Sequence, residues 1–209
     1  GTNSNNTIDF KNTAVITNSS EIINESKGKT TFNAAINSEL NRTGKITQNS
    51  TGTLTLNKKS YLNNFELKNG TVNVNENMSL GTNYTQSSGS LSLANDKKIS
   101  ADGNISIKNS IIALGNNSSK LSAKGNISIS NGSSDSASFI NYSTSVVDEV
   151  TVENYNNYGS IISDNGNYYQ GNSATKVYVN SLHANGNINI DNGILNTNYI
   201  GDRKSTRLN

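Results

Sequence analysis

The sequence predicts an all-β fold, a right-handed parallel β-helix in which short rungs stack into a solenoid. The first observation behind this is a repeated sentence. Lys-Ile-Ser-Ala-Asp-Gly-Asn-Ile-Ser-Ile at 98–107 returns as Lys-Leu-Ser-Ala-Lys-Gly-Asn-Ile-Ser-Ile at 120–129, identical at eight of ten positions. The distance between the two copies falls among the periods of stacked repeats. A looser copy, Ser-Leu-His-Ala-Asn-Gly-Asn-Ile-Asn-Ile, occupies 181–190, and shorter Gly-x-φ-x-φ echoes (φ aliphatic) begin at Gly52, Gly70 and Gly89. The second observation is alternation: the aliphatic residues of the motif are separated by Thr, Ser or Asn, the period of a strand with one dry face. The third is size. Each unit is too small to bury its apolar side alone, so copies must stack to make a core. Crossovers between parallel strands are nearly always right-handed, which gives the superhelix its expected hand. An antiparallel β-sandwich is the alternative, with the Asn-Gly corners as hairpin turns. It offers no reason for consecutive strands to share sequence.

Residues 1–43 carry only short apolar touches, at Ile8/Phe10, Val15/Ile16, Ile22/Ile23, Phe32 and Ala35/Ile36, and read as irregular, degenerate rungs. One helical turn over 34–40 is compatible with Ile36 and Leu40 standing four apart. Residues 44–201 form the repeat region. Its motif glycines, Gly52, Gly70, Gly89, Gly103 and Gly125, recur at uneven but repeat-like intervals. Aligned rungs would place Ile105 over Leu91 and Ile127. The paired aliphatics Leu54/Leu56, Val72/Val74, Leu91/Leu93, Ile105/Ile107, Ile127/Ile129, Val150/Val152 and Ile188/Ile190 are expected inward, with Ser106 outward. Excursions are expected near 131–148 and 154–176, and the interval from Gly125 to Gly186 spans about three rungs.

Residues 202–209 break the composition, holding Arg203 and Arg207 of only three arginines, the other being Arg42. They resemble the translated read-through of a sequencing adapter and are read as a non-native tail. Without them the +2 net charge becomes an even balance of basic and acidic residues. A nucleic-acid partner argued from basicity therefore has no support. Hydrophobic residues make up 32% of the chain, and low net charge with regular alternation argues against disorder. The abundant Asn and Ser suit corners and solvent-facing strand positions. There is no cysteine, hence no disulfide or thiolate metal site, and no run long enough to span a bilayer. The start at Gly1 reads as the middle of something longer.

The string Gly-Asn-Ile-Ser-Ile, twice, followed by Gly-Asn-Ile-Asn-Ile, resembles the passenger region of bacterial autotransporter adhesins. It is also similar to haemagglutinin-repeat proteins exported by two-partner secretion. The resemblance covers roughly 44–200. It implies a right-handed β-helix exported through the outer membrane and folded at the cell surface, with the translocator barrel outside this chain. It implies further a non-catalytic adhesin or adhesin stalk, whose partner is a host or neighbouring-cell surface glycan or protein, without membrane insertion by this segment. Absence of cysteine fits, since disulfides obstruct such export.

No catalytic, cofactor or metal site emerges. Glu149 and Glu153 flank Val150 and Val152 with outward parity, so they read as solvated ladder charges rather than the acid and base of a glycosidase. Some β-helices are polysaccharide lyases or hydrolases using Asp, Arg and Lys clusters, which makes a carbohydrate-active enzyme the alternative function. Asp164-Asn-Gly166 and Asp191-Asn-Gly193 lack the ligand spacing of calcium loops and read as turns. His183 takes the slot of Ser100 and Ser122 and points outward, without a second metal ligand. Tyrosines cluster between Tyr155 and Tyr178. Tyr155, Tyr158, Tyr168 and Tyr169, with glycines between them, are the candidate partner contacts, since tyrosine offers a rigid apolar face with a polar tip.

Overall fold

The computed structural model describes residues 7–11, 15–116, 118–130, 142–147, 150–155, 160–163, 168–171, 176–184, 186–191 and 194–202, and no helix occurs among them. The strands stand in three columns, which each turn of the chain visits in fixed order. The first column runs through Glu21–Asn24, 45–48, 64–67, Tyr84–Gln86, Ile105–Lys108, Ile127–Ser130, Tyr168–Gly171 and Ile188–Asp191. The second runs through Thr7–Phe10, Lys29–Phe32, 53–56, 71–74, Ser90–Leu93 and Ile111–Leu114. The third runs from Val15–Ile16 through Ala35–Ile36, Ser60–Leu62, Met78–Leu80, Lys98–Ala101, Lys120–Ala123 and Ser160–Ser163 to 181–184 and 199–202. Segments 176–179 and 194–197 pair between first- and third-column strands, the place the second column holds in lower turns. Every one of these ladders is parallel. The fold is a parallel β-solenoid, and the sandwich is excluded.

Ladder steps differ in length, from tight ones such as Ser60 to Met78 to wider ones such as Lys29 to Thr53. One step is about double the others, since Ile127 pairs with Tyr168 and Lys120 with Ser160. The extra chain contains an antiparallel hairpin, Tyr142–Val147 against Val150–Tyr155, which stands outside the parallel columns. Gly125 to Gly186, about three rungs in length, thus spans two ladder steps and one excursion. Within 154–176, Ser160–Ser163 and Tyr168–Gly171 are wall strands in register, so these two stretches of the second expected excursion belong to the solenoid.

The motif glycines also divide. Gly103 and Gly125 precede first-column strands, whereas Gly52, Gly70 and Gly89 precede second-column segments. The short step from Gly89 to Gly103 is where the series changes corner. Ile105 accordingly stacks between Tyr84 and Ile127, while Leu91 lies between Val72 and Ile112, which corrects the expected pairing of Ile105 with Leu91.

The Gly-Asn pair has a local cause. The Asn104 backbone N–H donates to the Asn83 side-chain oxygen at 2.8 Å, and Asn126 N–H donates to the Asn104 oxygen at 2.8 Å. A Cβ on Gly103 would lie 2.6 Å from that Asn83 oxygen. Glycine leaves the room into which the asparagine of the preceding turn folds. A second asparagine ladder climbs the end of the second column, with Asn57 Nδ2 donating to Asn33 and Asn75 Nδ2 to Asn57 at 2.6 and 2.7 Å.

Parity holds through the middle of the solenoid. Leu54, Leu56, Val72, Val74, Leu91, Leu93, Ile105, Ile107, Ile127 and Ile129 are all buried, and Ser106 is exposed. Two pairs depart from expectation. Val150 and Val152 belong to the antiparallel hairpin, outside the parallel columns. Ile188 packs partly against the core, but Ile190 is 44% exposed because, among the described residues, its strand pairs on one side only. Thr7–Phe10, the lowest strand of the second column, likewise leaves Ile8 and Phe10 exposed. No helix forms over 34–40: Ala35–Ile36 is a strand, and Asn37 turns the chain with φ of 55°. Its side-chain amide donates to the carbonyls of Asn18, Thr43 and Tyr61, which fixes that turn.

Candidate binding surface

The outward positions of the first column read upward Ile23, Thr47, Glu66, Thr85, Ser106, Ser128, Tyr169 and Asn189, each in register with the next. Those of the third read Tyr61, Ser79, Ser100, Ser122, Ile162 and His183. Strand alternation alone places these side chains outside, because Ile105, Ile107, Ile127 and Ile129 claim the interior. Thr47 and Ser122 are covered by their neighbours despite that parity. The result is a wall of mostly short hydroxyl side chains, interrupted by Ile23, Glu66, Tyr61, Ile162 and His183, on which Tyr169 is the one large aromatic of the first-column row.

The four candidate tyrosines part company. Tyr169 is 40% exposed on the wall. Tyr168 is buried: its ring occupies the inward slot in register with Ile127, and its hydroxyl donates to Gln170 Oε1 at 3.0 Å. Burial pushes its pKa above the ordinary tyrosine value. Tyr168 is therefore a core residue and not a partner contact, a consequence of the single-residue parity that separates it from Tyr169. Tyr155 ends the second strand of the hairpin. Tyr158 lies outside the described residues, as do Asp148, Glu149 and 164–166.

Tyr168 reveals a signal the aliphatic pattern hid. Tyr84-Thr-Gln86 and Tyr168-Tyr-Gln170 are the same inward device. Tyr84 donates its hydroxyl to Gln86 Oε1 at 2.6 Å, and Gln86 Nε2 donates to the carbonyls of Gly89 and Ile111 at 3.2 and 3.1 Å. Gln170 Nε2 reaches the carbonyl of Ile194 at 2.9 Å. Each glutamine satisfies a buried phenol and a corner carbonyl of the following turn, which lets polar atoms lie in an otherwise apolar interior. Tyr-x-Gln at two ladder-equivalent sites was visible in the sequence as a repeat, though not as an interior one.

Several ionisable side chains on the described surface are tied to one another. Lys45 sits between Glu21 and Glu66, 3.2 and 2.5 Å away, and Lys97 pairs with Glu76 at 3.0 Å. A hydrogen bond from Thr47 and another from Lys45 hold the Glu21 carboxyl below its ordinary pKa. Hydrogen bonding to Glu66 raises that of Lys45. Arg42 reaches Asp102 at 2.6 Å, with Lys124 on the other oxygen at 2.9 Å. Partial burial acts to raise the Asp102 pKa, but the hydrogen bonds from Lys124 and Arg42 outweigh it and the carboxyl is held low. Asp102 is thus an ionised anchor for two cations. His183 is half-buried against Tyr199, ring centroids 5.2 Å apart.

No family model, no curated protein and no solved structure matches this chain. The described surface offers a wall rich in hydroxyls and amides, stiffened by side-chain ladders. Among the described residues no three His, Cys, Asp or Glu side chains gather as a metal site.

Proposed function

We propose that the chain is a length of a non-catalytic β-helical passenger, at the bacterial cell surface or released from it, acting as an adhesin or adhesin stalk. The observation that carries this reading is the continuity of the solenoid. Turn follows turn in register, and the outward rows are mainly Ser, Thr and Asn, a rod that displays surface along its whole length. The absence of cysteine accords with export of an unfolded chain through an outer-membrane barrel, which is expected outside this segment. A host or neighbouring-cell glycan or protein is the partner such a wall suits, because hydroxyls and amides supply adaptable hydrogen bonds.

The test is to fuse the chain to an outer-membrane translocator, confirm display with antibody, and measure attachment of the bacteria to glycan-coated surfaces and epithelial cells. Attachment above that of bacteria displaying the translocator alone is expected. Shortening of a soluble polysaccharide by the purified chain would overturn the non-catalytic reading in favour of a carbohydrate-active enzyme.

A further inference from the structure

The corner between the first and second columns holds a feature that neither the tyrosines nor the polar wall accounts for. Gly28, Gly52, Gly70 and Gly89 precede second-column segments in four successive turns, with Ser110 following in the fifth. Glycine is required by close approach. Gly70 and Gly89 have φ of 81° and 80°, and a Cβ on Gly70 would lie 2.5 Å from the carbonyl oxygen of Gly52. The turns close up backbone to backbone at this corner, and the side chains before and after the glycine row flank a trench running along the solenoid axis.

Two rows of side chains wall the trench. On one side stand Lys27, Thr51, Asn69, Ser88 and Asn109, and on the other Lys29, Thr53, Thr71, Ser90 and Ile111. The second row is one continuous ladder register, Lys29 to Thr53 to Thr71 to Ser90 to Ile111. Two cavities, of about 310 and 330 Å³, follow one another along it and share Thr51. Five turns at the ~4.8 Å ladder spacing give the trench a length of about 19 Å. Among the described residues its lining is Thr and Ser hydroxyls, Asn amides, peptide and the Ile111 side chain, with Lys27 and Lys29 at one end and no carboxylate in either cavity.

We infer that this trench is a binding groove for an extended acidic polysaccharide laid along the solenoid axis. A linear chain of sugars fits a straight, repeating, hydroxyl-lined channel, because donors and acceptors recur at each turn as ring hydroxyls recur at each sugar. Lys27 and Lys29 offer positive charge to the anionic groups of such a chain at one end, where no carboxylate stands among the described lining residues. The groove lies on residues 27–111 and owes nothing to the tyrosine cluster. The choice of a glycan as ligand rests on the adhesin reading above.

The experiment measures binding of the purified chain to polygalacturonate and chondroitin sulfate, with dextran as the neutral control, by biolayer interferometry at two salt concentrations. Acidic polymers should bind, more weakly at high salt as exposed charges are screened, and dextran should not. Thr51→Trp, which fills the point shared by both cavities, should weaken binding about tenfold or more, a difference of ~1.4 kcal/mol. Lys27→Ala with Lys29→Ala should remove the salt dependence. Circular dichroism and melting temperature, unchanged in both variants, separate loss of binding from loss of fold. No binding by the parent chain, equal binding of dextran, or full binding by a folded Thr51→Trp chain would each overturn the groove. Adhesion of displaying bacteria that survives Thr51→Trp would remove the groove and leave the adhesin reading standing.

Discussion

Replacing Tyr84 and Gln86 singly and together tests whether the interior tolerates polar side chains only as a matched pair. Both are fully buried, and the Tyr84 hydroxyl has Gln86 Oε1 as its partner at 2.6 Å. Tyr84→Phe leaves that oxygen without its donor. Gln86→Leu strands the phenol, while the carbonyls of Gly89 and Ile111 stay within reach of water at the half-exposed corner. An unsatisfied buried polar group costs about 1–3 kcal/mol, so each single change should destabilise by that amount. The double variant should cost less than either, because removing both partners can be nearly neutral. The structure contains its own control. One turn below, the ladder partners of Tyr84 and Gln86 are Phe65 and Leu67, and the Phe65 and Tyr84 rings stack with centroids 5.9 Å apart. The double variant therefore repeats a Phe-x-Leu rung that the solenoid already accommodates. Urea unfolding followed by far-ultraviolet circular dichroism gives the four free energies of the cycle. A coupling of about 1–3 kcal/mol is expected, and strict additivity would refute the pairing.

Ile105→Asn, which buries an amide between Tyr84 and Ile127, should cost about 3–5 kcal/mol in the same titration. Ser106→Asn, one residue along and outward, should stay within about 0.5 kcal/mol. Asp102 has a depressed pKa in the folded chain, so its contribution is present above the unfolded value and lost as pH falls through the folded one. Asp102→Asn should therefore lower stability at neutral pH and flatten the acid limb of a melting-temperature profile below about pH 4. Tyr169→Ser should leave the melting temperature nearly unchanged, whereas Tyr168→Ser empties a core slot and should cost about 3–5 kcal/mol. Equal losses for the two tyrosines would contradict their opposite facing.

The middle of the solenoid was legible because two kinds of repetition coincide there. Lys-x-Ser-Ala-x-Gly-Asn-Ile-Ser-Ile carries a third-column strand, a corner and a first-column strand in one string, so the repeat of sequence is the repeat of structure. The glycine series misled because two corners use glycine before the same aliphatic alternation. Gly52, Gly70 and Gly89 avoid backbone oxygens, while Gly103 makes room for a side-chain amide, and a count of spacings carries no label for the corner. The tyrosines were half legible. Clustering said that aromatics gather after 154, but whether Tyr168 or Tyr169 faces inward depends on the ladder register with Ile127, which only the parallel pairing fixes. The trench was hidden for a different reason. Thr51, Asn69, Ser88 and Asn109 are ordinary turn residues one by one, and become a wall only when stacked.

The account stands on parallel, in-register stacking of first-column strands, and a chain without cysteine permits a clean test of it. Ser106 and Ser128 lie a full turn of the chain apart and face each other across one ladder step. Adjacent strands stand about 4.8 Å apart, inside the ~4.4–6.8 Å Cα separation that a disulfide spans. Ser92 is nearer to Ser106 in sequence, but its ladder partners are Asn73 and Ala113 in the second column. The measurement is mild oxidation of two double-cysteine variants, at 106 with 128 and at 106 with 92, followed by mass spectrometry of the unreduced peptides. Quantitative bridging of the first pair with the second left as free thiols is the expected result. Bridging of 92 with 106, and none between 106 and 128, would contradict the solenoid.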